Sequence, residues 1–274
     1  MGGIEFLKGH GTQNDFVLLP DPDGRLELTE ARVAALCDRQ RGLGADGVLR
    51  IVRSAALGVE SEGEWFMDYR NADGSIAEMC GNGVRVFVRY LVDSGLVSER
   101  DFVIGTRAGD RPVRMHADGS VTVQMGPAAI TGTSVTVVAG QPFSGVAVNV
   151  GNPHLVSVVD DDVDVLDLRD QPDFDSDVFP DGVNLEFINL LGENALKMRV
   201  HERGVGETRS CGTGTVAAVA AALHLAGTDT GEATVDIPGG QVVVEVRRGG
   251  STLTGPAEIV ARGELDETWW AGLG

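Results

Sequence analysis

Two cysteines stand where a backbone can change what a thiol does. Cys80 lies in Met79-Cys80-Gly81-Asn82-Gly83 and Cys211 in Ser210-Cys211-Gly212-Thr213-Gly214, each just ahead of an apolar helical pattern. Glycines let such a loop come close to a ligand. The N–H groups of a helix's first turn carry roughly half a positive charge, which favours a carboxylate and lowers the pKa of a nearby thiol. One such loop could hold an acid beside a reactive sulfur. Two of them suit the inversion of a carbon stereocentre, in which a base removes a proton from one face and an acid delivers one to the other. Cys37, on a helical stripe with Val33 and Leu36, reads instead as a small buried hydrophobe.

The surroundings of the two cysteines repeat. Trp65 to Gly74 leads into the first loop and Ala195 to Gly204 into the second. Cys80 follows Asn71 by nine residues, and Cys211 follows Glu202 by nine. Val84, Phe87, Val88 and Leu91 then recur at helical spacing, as do Val216, Val219, Ala220 and Leu223, and each pattern meets a glycine stop, at Gly95 and Gly227. The unit is a strand, a polar turn, a cysteine loop and an amphipathic helix, present twice. Around it run short β-branched segments punctuated by Gly, Pro, Asp and Asn, including Phe16–Leu19, Val48–Val52, Val121–Met125, Val146–Val150 and Leu155–Val159. A helix beginning after Thr29 is also expected. The class is α+β, and the Gly- and Pro-containing stretch Gly126–Thr133 is the expected boundary between lobes 1–126 and 127–262. Trp269 and Trp270 are expected to anchor a tail, 263–274, that returns to the first lobe.

Length and charge narrow the classes. At 274 residues, 42% hydrophobic and 23% charged, the chain reads as a soluble two-lobed globule. Its net charge of −19 repels phosphate backbones and anionic membranes, so neither nucleic acid nor membrane is an expected partner. No signal peptide or spanning segment is apparent, and three cysteines without zinc spacing are expected to be cytoplasmic thiols, with no metal site. Pyridoxal phosphate needs a Schiff-base lysine, and neither Lys8 nor Lys197 sits in a phosphate-binding context, so no cofactor is expected. Gly42-Leu43-Gly44-Ala45-Asp46-Gly47 matches a dinucleotide motif in letters alone, because a helix precedes it and a strand follows it.

In these motifs the sequence resembles the diaminopimelate epimerases, cofactor-independent enzymes that interconvert LL- and meso-diaminopimelate in bacterial lysine and peptidoglycan synthesis. The resemblance spans the chain: Gly11-Thr12-Gln13-Asn14-Asp15-Phe16, Gly44-Ala45-Asp46-Gly47, Asn71-Ala72-Asp73-Gly74, both cysteine loops, Gly151-Asn152-Pro153-His154, Val183-Asn184 and Glu202-Arg203-Gly204-Val205-Gly206-Glu207-Thr208. It implies two pseudo-symmetric lobes, each a curved, mostly antiparallel sheet wrapped around a central helix, and a homodimer. It also implies that Cys211 takes the α-proton of the LL isomer while Cys80 donates one. Gly81, Asn82, Gly212 and Thr213 would hold the reacting carboxylate. Asn14, Asn71, Asn152, Asn184, Glu202 and Arg203 would bind the remaining charged groups, and His154 and Glu202 would tune the thiols. Some relatives carry a substrate-contacting Gln where this chain has Gly47, so that contact is lost. Two other readings compete: a proline racemase-like enzyme on the same scaffold, and a disulfide-exchange protein. The latter usually keeps its cysteines close in sequence, whereas these lie 131 residues apart.

Overall fold

The computed structural model describes residues 3–273 and divides into two compact units, Met1–Val123 with Pro256–Gly274, and Gln124–Gly255. In the first, β1 (Ile4–Gly11), β2 (Asn14–Pro20), α1 (Glu30–Cys37), β3 (Gly47–Arg53), β4 (Trp65–Asn71) and α2 (Gly81–Asp93) come in that order. The meander β5 (Asp101–Ile104), β6 (Arg111–Met115) and β7 (Val121–Gln124) follows. In the second unit come β8 (Ala129–Val138), β9 (Gln141–Asn149), β10 (Pro153–Val158), the short β11 (Asp173–Phe174), β12 (Asn184–Gly192), β13 (Ala195–Glu202), β14 (Gly206–Thr208) and α3 (Gly212–Leu225). Strands β15 (Gly231–Ile237), β16 (Gly240–Arg247) and β17 (Gly250–Gly255) complete it. The chain then re-enters the first unit as β18 (Glu258–Leu265) and α4 (Glu267–Ala271).

The internal repeat reaches down to strand order. The first unit's main sheet runs β18-β1-β2-β3-β4, and the second contains the run β8-β9-β10-β12-β13. In both, the middle pair is parallel (β2 with β3, β10 with β12) and its flanking pairs are antiparallel. The registers match too. Phe16 pairs with Gly47 and His154 with Asn184, so Asn14 and Asn152, each two residues upstream, hold equivalent places. The class is α+β, with few helices and mixed sheets.

Each unit's long helix packs against many strands, α2 against β1, β2 and β18, and α3 against β9, β10, β12 and β16. That explains a difference from the expected amphipathic stripe. In α2 every residue from Gly81 to Val88 is buried, and in α3 the same holds from Gly214 to Ala221. A helix enclosed by its own sheet has no solvent face over these turns. The helix after Thr29 forms as expected, with the Thr29 hydroxyl accepting from Arg32 N–H. Trp270 packs with Val33, Leu36 and Leu265, beneath the Arg32 guanidinium 5.0 Å from its ring. The segment 126–133 is only partly a connector, because β8 already begins at Ala129.

Candidate active site

Cys80 and Cys211 occupy the same local position, each the residue before the first turn of a long helix with extended backbone (φ −139° and −126°). Their side chains are treated differently. The Cys211 sulfur accepts the Gly214 N–H at 3.4 Å and lies 3.6 Å from Thr213 Oγ1. The Cys80 thiol is turned to Asn14 Oδ1, 3.6 Å away.

Around Cys80 the structure joins Asn14 and Asn82, whose Nδ2 donates to Asn14 Oδ1 at 3.2 Å. The Asn14 amide is held the right way round by Asp46, which accepts from Asn14 Nδ2 at 2.7 Å and so leaves the carbonyl facing the thiol. Asp46 in turn accepts from Arg39, which also binds Asp15. Burial pushes Asp15 up, but hydrogen bonds from Arg39 and Lys8 outweigh it and hold the carboxyl at about 2. A depressed carboxyl contributes stability above its unfolded value, and that contribution is lost as pH falls towards about 2. Asp15→Asn should therefore destabilise the protein near neutral pH by at most about 2 kcal/mol after screening, with the deficit shrinking below about pH 4. Urea melts of both proteins across that range check it; a deficit independent of pH would assign the loss to packing.

Beneath this loop lies Arg85, 0% exposed, donating from Nη2 to Thr12 Oγ1 at 2.9 Å and Asn82 Oδ1 at 2.8 Å. Thr12 and Gln13 form the β1–β2 turn with φ of 50° and 64°. That geometry is uncommon for a β-branched residue and is maintained here by the buried Thr12–Arg85 bond. Asn71 closes its own turn, with Nδ2 donating to Ser75 Oγ at 3.0 Å, and stands opposite Gly47 in the β3–β4 register. A β-carbon on Gly47 would meet Arg70 O at 2.5 Å and Tyr69 Cε2 at 2.7 Å, which is why no side chain occupies that place.

Around Cys211 the structure gathers Thr213, Asn152, His154, Glu202 and a residue the motifs did not single out, Glu186. Asn152 donates to Thr213 Oγ1 at 3.4 Å, His154 Nε2 lies 2.9 Å from Asn152 Oδ1, and His154 Nδ1 lies 2.7 Å from Glu186 Oε1. Glu202, half-buried, accepts from Thr208 Oγ1. Burial pushes Glu202 up, and burial together with Glu202 and Glu186 pushes the Cys211 thiol well up. Both effects favour the neutral form of the Cys211 thiol. Asn184 ties the site together through backbone, donating to Pro153 O at 3.1 Å and accepting Arg203 N–H at 3.0 Å. The Arg203 side chain is exposed and donates to Asp181 O. Cys37 is buried in the α1 core, where burial pushes its thiol to about 12.

Gly214 is a tight point of the Cys211 loop. A β-carbon there would lie 2.6 Å from Glu186 Oε1 and 3.2 Å from Cys211 Sγ, whereas at the equivalent Gly83 the nearest atom is Leu49 Cδ2 at 3.2 Å. Gly214→Ala should cost about 1–3 kcal/mol, a melting-temperature drop of about 2–10 °C by calorimetry, and Gly83→Ala distinctly less. Equal losses at both positions would contradict this geometry.

Among the described residues no cluster of three His, Cys, Asp or Glu side chains suited to a metal ion occurs, and no helix is long and apolar enough to cross a membrane. The sequence profile described as diaminopimelate epimerase matches residues 6–131 and 146–260. A diaminopimelate epimerase of Rhodococcus opacus (strain B4) is 55% identical over 288 residues, covering 98% of this chain and 100% of the relative. One of Mycolicibacterium smegmatis is 56% identical over 285 residues, covering 97% and 98%. Among solved structures, a PhzF-family phenazine biosynthesis protein of Bacillus anthracis superposes with a TM-score of 0.68 at 17% identity, covering 97% of this chain and all of that one. A hydroxyproline epimerase from Agrobacterium vitis superposes at 0.66 and 16%, covering 98% and 94%. At those identities the structures are evidence of a shared fold alone. The profile and the near end-to-end identity go further: the chain belongs to the diaminopimelate epimerase family.

Proposed function

We propose that this protein epimerises LL-diaminopimelate to the meso form with two thiols and no cofactor, in lysine and peptidoglycan synthesis. The observation that carries the reading is the duplicated helix start with a cysteine in each copy. Symmetric chemistry asks for two equivalent acid/base groups, and the repeat supplies them. From the LL isomer the Cys211 thiolate takes the α-proton, forming an S–H bond and leaving the electron pair on carbon and its carboxylate. The Cys80 thiol then delivers its proton to the opposite face and is left as thiolate. In the reverse direction the parts exchange.

Glu202 prepares Cys211 by accepting the thiol proton, which its burial-raised carboxyl and its electrostatic influence on that sulfur support. His154 tunes the same loop through Asn152. The first-turn N–H groups at Gly81, Asn82, Gly212 and Thr213 suit the reacting carboxylate, whose charge grows as the proton leaves. Asn14, Asn71, Asn152, Asn184, Glu202 and Arg203 suit the other polar groups of a substrate charged at both ends, where an amide or Glu meets an ammonium and an Arg meets a carboxylate. Family membership supports a homodimer, and the acidic, thiol-bearing chain suits the cytoplasm.

The test is deuterium wash-in. Purified protein in deuterated water should label the α-carbon of LL-diaminopimelate and yield the meso isomer, with proline left unlabelled. Labelling of proline alone would replace this reading with the proline racemase-like one.

A further inference from the structure

The two copies differ beneath their helix starts. In the first unit the paired strands present Phe16 and Leu49 there, and both approach the Gly83 position within 3.5 Å of where a β-carbon would lie. In the second, the same register places hold His154 and Glu186, both 0% exposed. One scaffold therefore accommodates either an aromatic–aliphatic pair or a buried His–Glu hydrogen bond at 2.7 Å. Folding does not call for the polar version, since a buried polar pair generally gains little over an apolar pair of similar volume. Among the described residues Glu186 Oε2 also has no hydrogen-bond partner although it is buried, a cost that packing leaves unexplained.

We propose that Glu186 is a positioning residue that acts through His154 to fix the Asn152 amide, with its NH2 directed at Thr213 and the Cys211 loop. Both ring nitrogens face oxygen, Nδ1 the Glu186 carboxylate and Nε2 the Asn152 carbonyl at 2.9 Å. An amide oxygen only accepts, so Nε2 must carry hydrogen. This holds whether the other proton resides on Nδ1 or on Glu186. With its oxygen engaged by the ring, Asn152 offers N–H donors to Thr213 Oγ1 and to a substrate carboxylate. The titratable groups around the ring are Glu186 on β12, Glu202 at the end of β13 and Cys211 at the head of α3. The proposal rests on the reading of the Cys211 loop as one half of the epimerase site.

Four proteins test it: the parent, Glu186→Leu, Glu186→Gln, and the double variant His154→Phe/Glu186→Leu, which copies the Phe16–Leu49 pair. The double variant should melt within a few degrees of the parent. Its kcat/KM for LL-diaminopimelate should fall about 100-fold, with KM rising more than kcat falls, as expected when a binding donor is misplaced. Glu186→Gln should remain within roughly tenfold of the parent, because its amide can hydrogen-bond Nδ1 and keep hydrogen on Nε2, whereas Glu186→Leu should not. In imidazole 15N NMR near neutral pH, the resonance lost in the double variant identifies His154, and in the parent its Nε2 should be protonated. A bare Nε2, parental kcat/KM in the double variant, or Glu186→Gln no better than Glu186→Leu would overturn the proposal. If the double variant fails to fold, loss of the Glu186-dependent signal in Glu186→Leu makes the assignment and the remaining comparisons decide. A parent inactive on diaminopimelate would remove the epimerase reading, while the nitrogen spectrum would still decide the positioning role.

Discussion

Replacing either Cys80 or Cys211 with serine is expected to reduce inversion of diaminopimelate by about a thousandfold or more, with little effect on stability. The hydroxyl is far less acidic than the thiol, so neither the thiolate base nor a matched acid remains on that face, and loss of one positioned acid or base alone removes about 10²- to 10⁴-fold. What survives should be one-sided. Cys80→Ser keeps the Cys211 base, so in deuterated water it should still exchange the α-hydrogen of the LL isomer and return deuterium to the face it left. Cys211→Ser should do the same for the meso isomer. Each variant thus exchanges one isomer without inverting it, and mass spectrometry with chiral chromatography separates the two outcomes. A single serine variant that inverts at more than about a tenth of the parental rate would end the two-thiol mechanism. A disulfide-exchange protein would show no stereochemical activity in any of the three.

The parts of this molecule that were legible in its sequence are those that obey a period. Strands such as β2, β3 and β10 coincide with β-branched runs between turn residues, and the nine-residue offset before each cysteine marks the repeat that the strand order displays. Asn14, Asn82, Asn152, His154 and Glu202 each lie beside a cysteine loop within their own unit, and short motifs suffice to mark them. Glu186 and Arg85 were not legible because each is a charge inside an otherwise apolar pattern. A carboxylate between Leu185 and Phe187 reads as the solvent side of a strand, and an arginine beside Val84 reads as the solvent side of a helix. Both readings assume a wet face, and neither element has one at that point. The missing signal was the enclosure of each helix by its sheet, which follows from long-range pairing such as β2 with β3 and β10 with β12. The extent of the C-terminal return was hidden for the same reason: β18 pairs with β1 across almost the whole chain, and only the tryptophans that follow it stand out locally.

Arg85 provides the second large effect, because its contributions to stability and to catalysis should have opposite signs. A guanidinium with 0% exposure and, among the described residues, two nitrogens without hydrogen-bond partners and no paired carboxylate is costly to bury, and burial pulls it down to about 10, still charged at neutral pH. Arg85→Met should therefore leave the melting temperature unchanged or raise it by a few degrees, as replacement of buried charge by apolar volume often does. The equivalent position in α3 is Val216, so an apolar residue suits this turn of the helix. Activity should move the other way. The substitution removes the Nη2 bonds that hold Asn82 and the strained Thr12, and it removes the cation whose field acts on the Cys80 sulfur. With the loop loosened and the thiolate less favoured, kcat/KM should fall about 100-fold and iodoacetamide should label Cys80 more slowly. Arg85→Lys should recover the field without the forked donor geometry, restoring alkylation more fully than turnover. Should Arg85→Met instead unfold the protein, the cation is a structural strut for the β1–β2 turn. If it folds and remains fully active, the electrostatic asymmetry between the two cysteine loops has no part in the reaction.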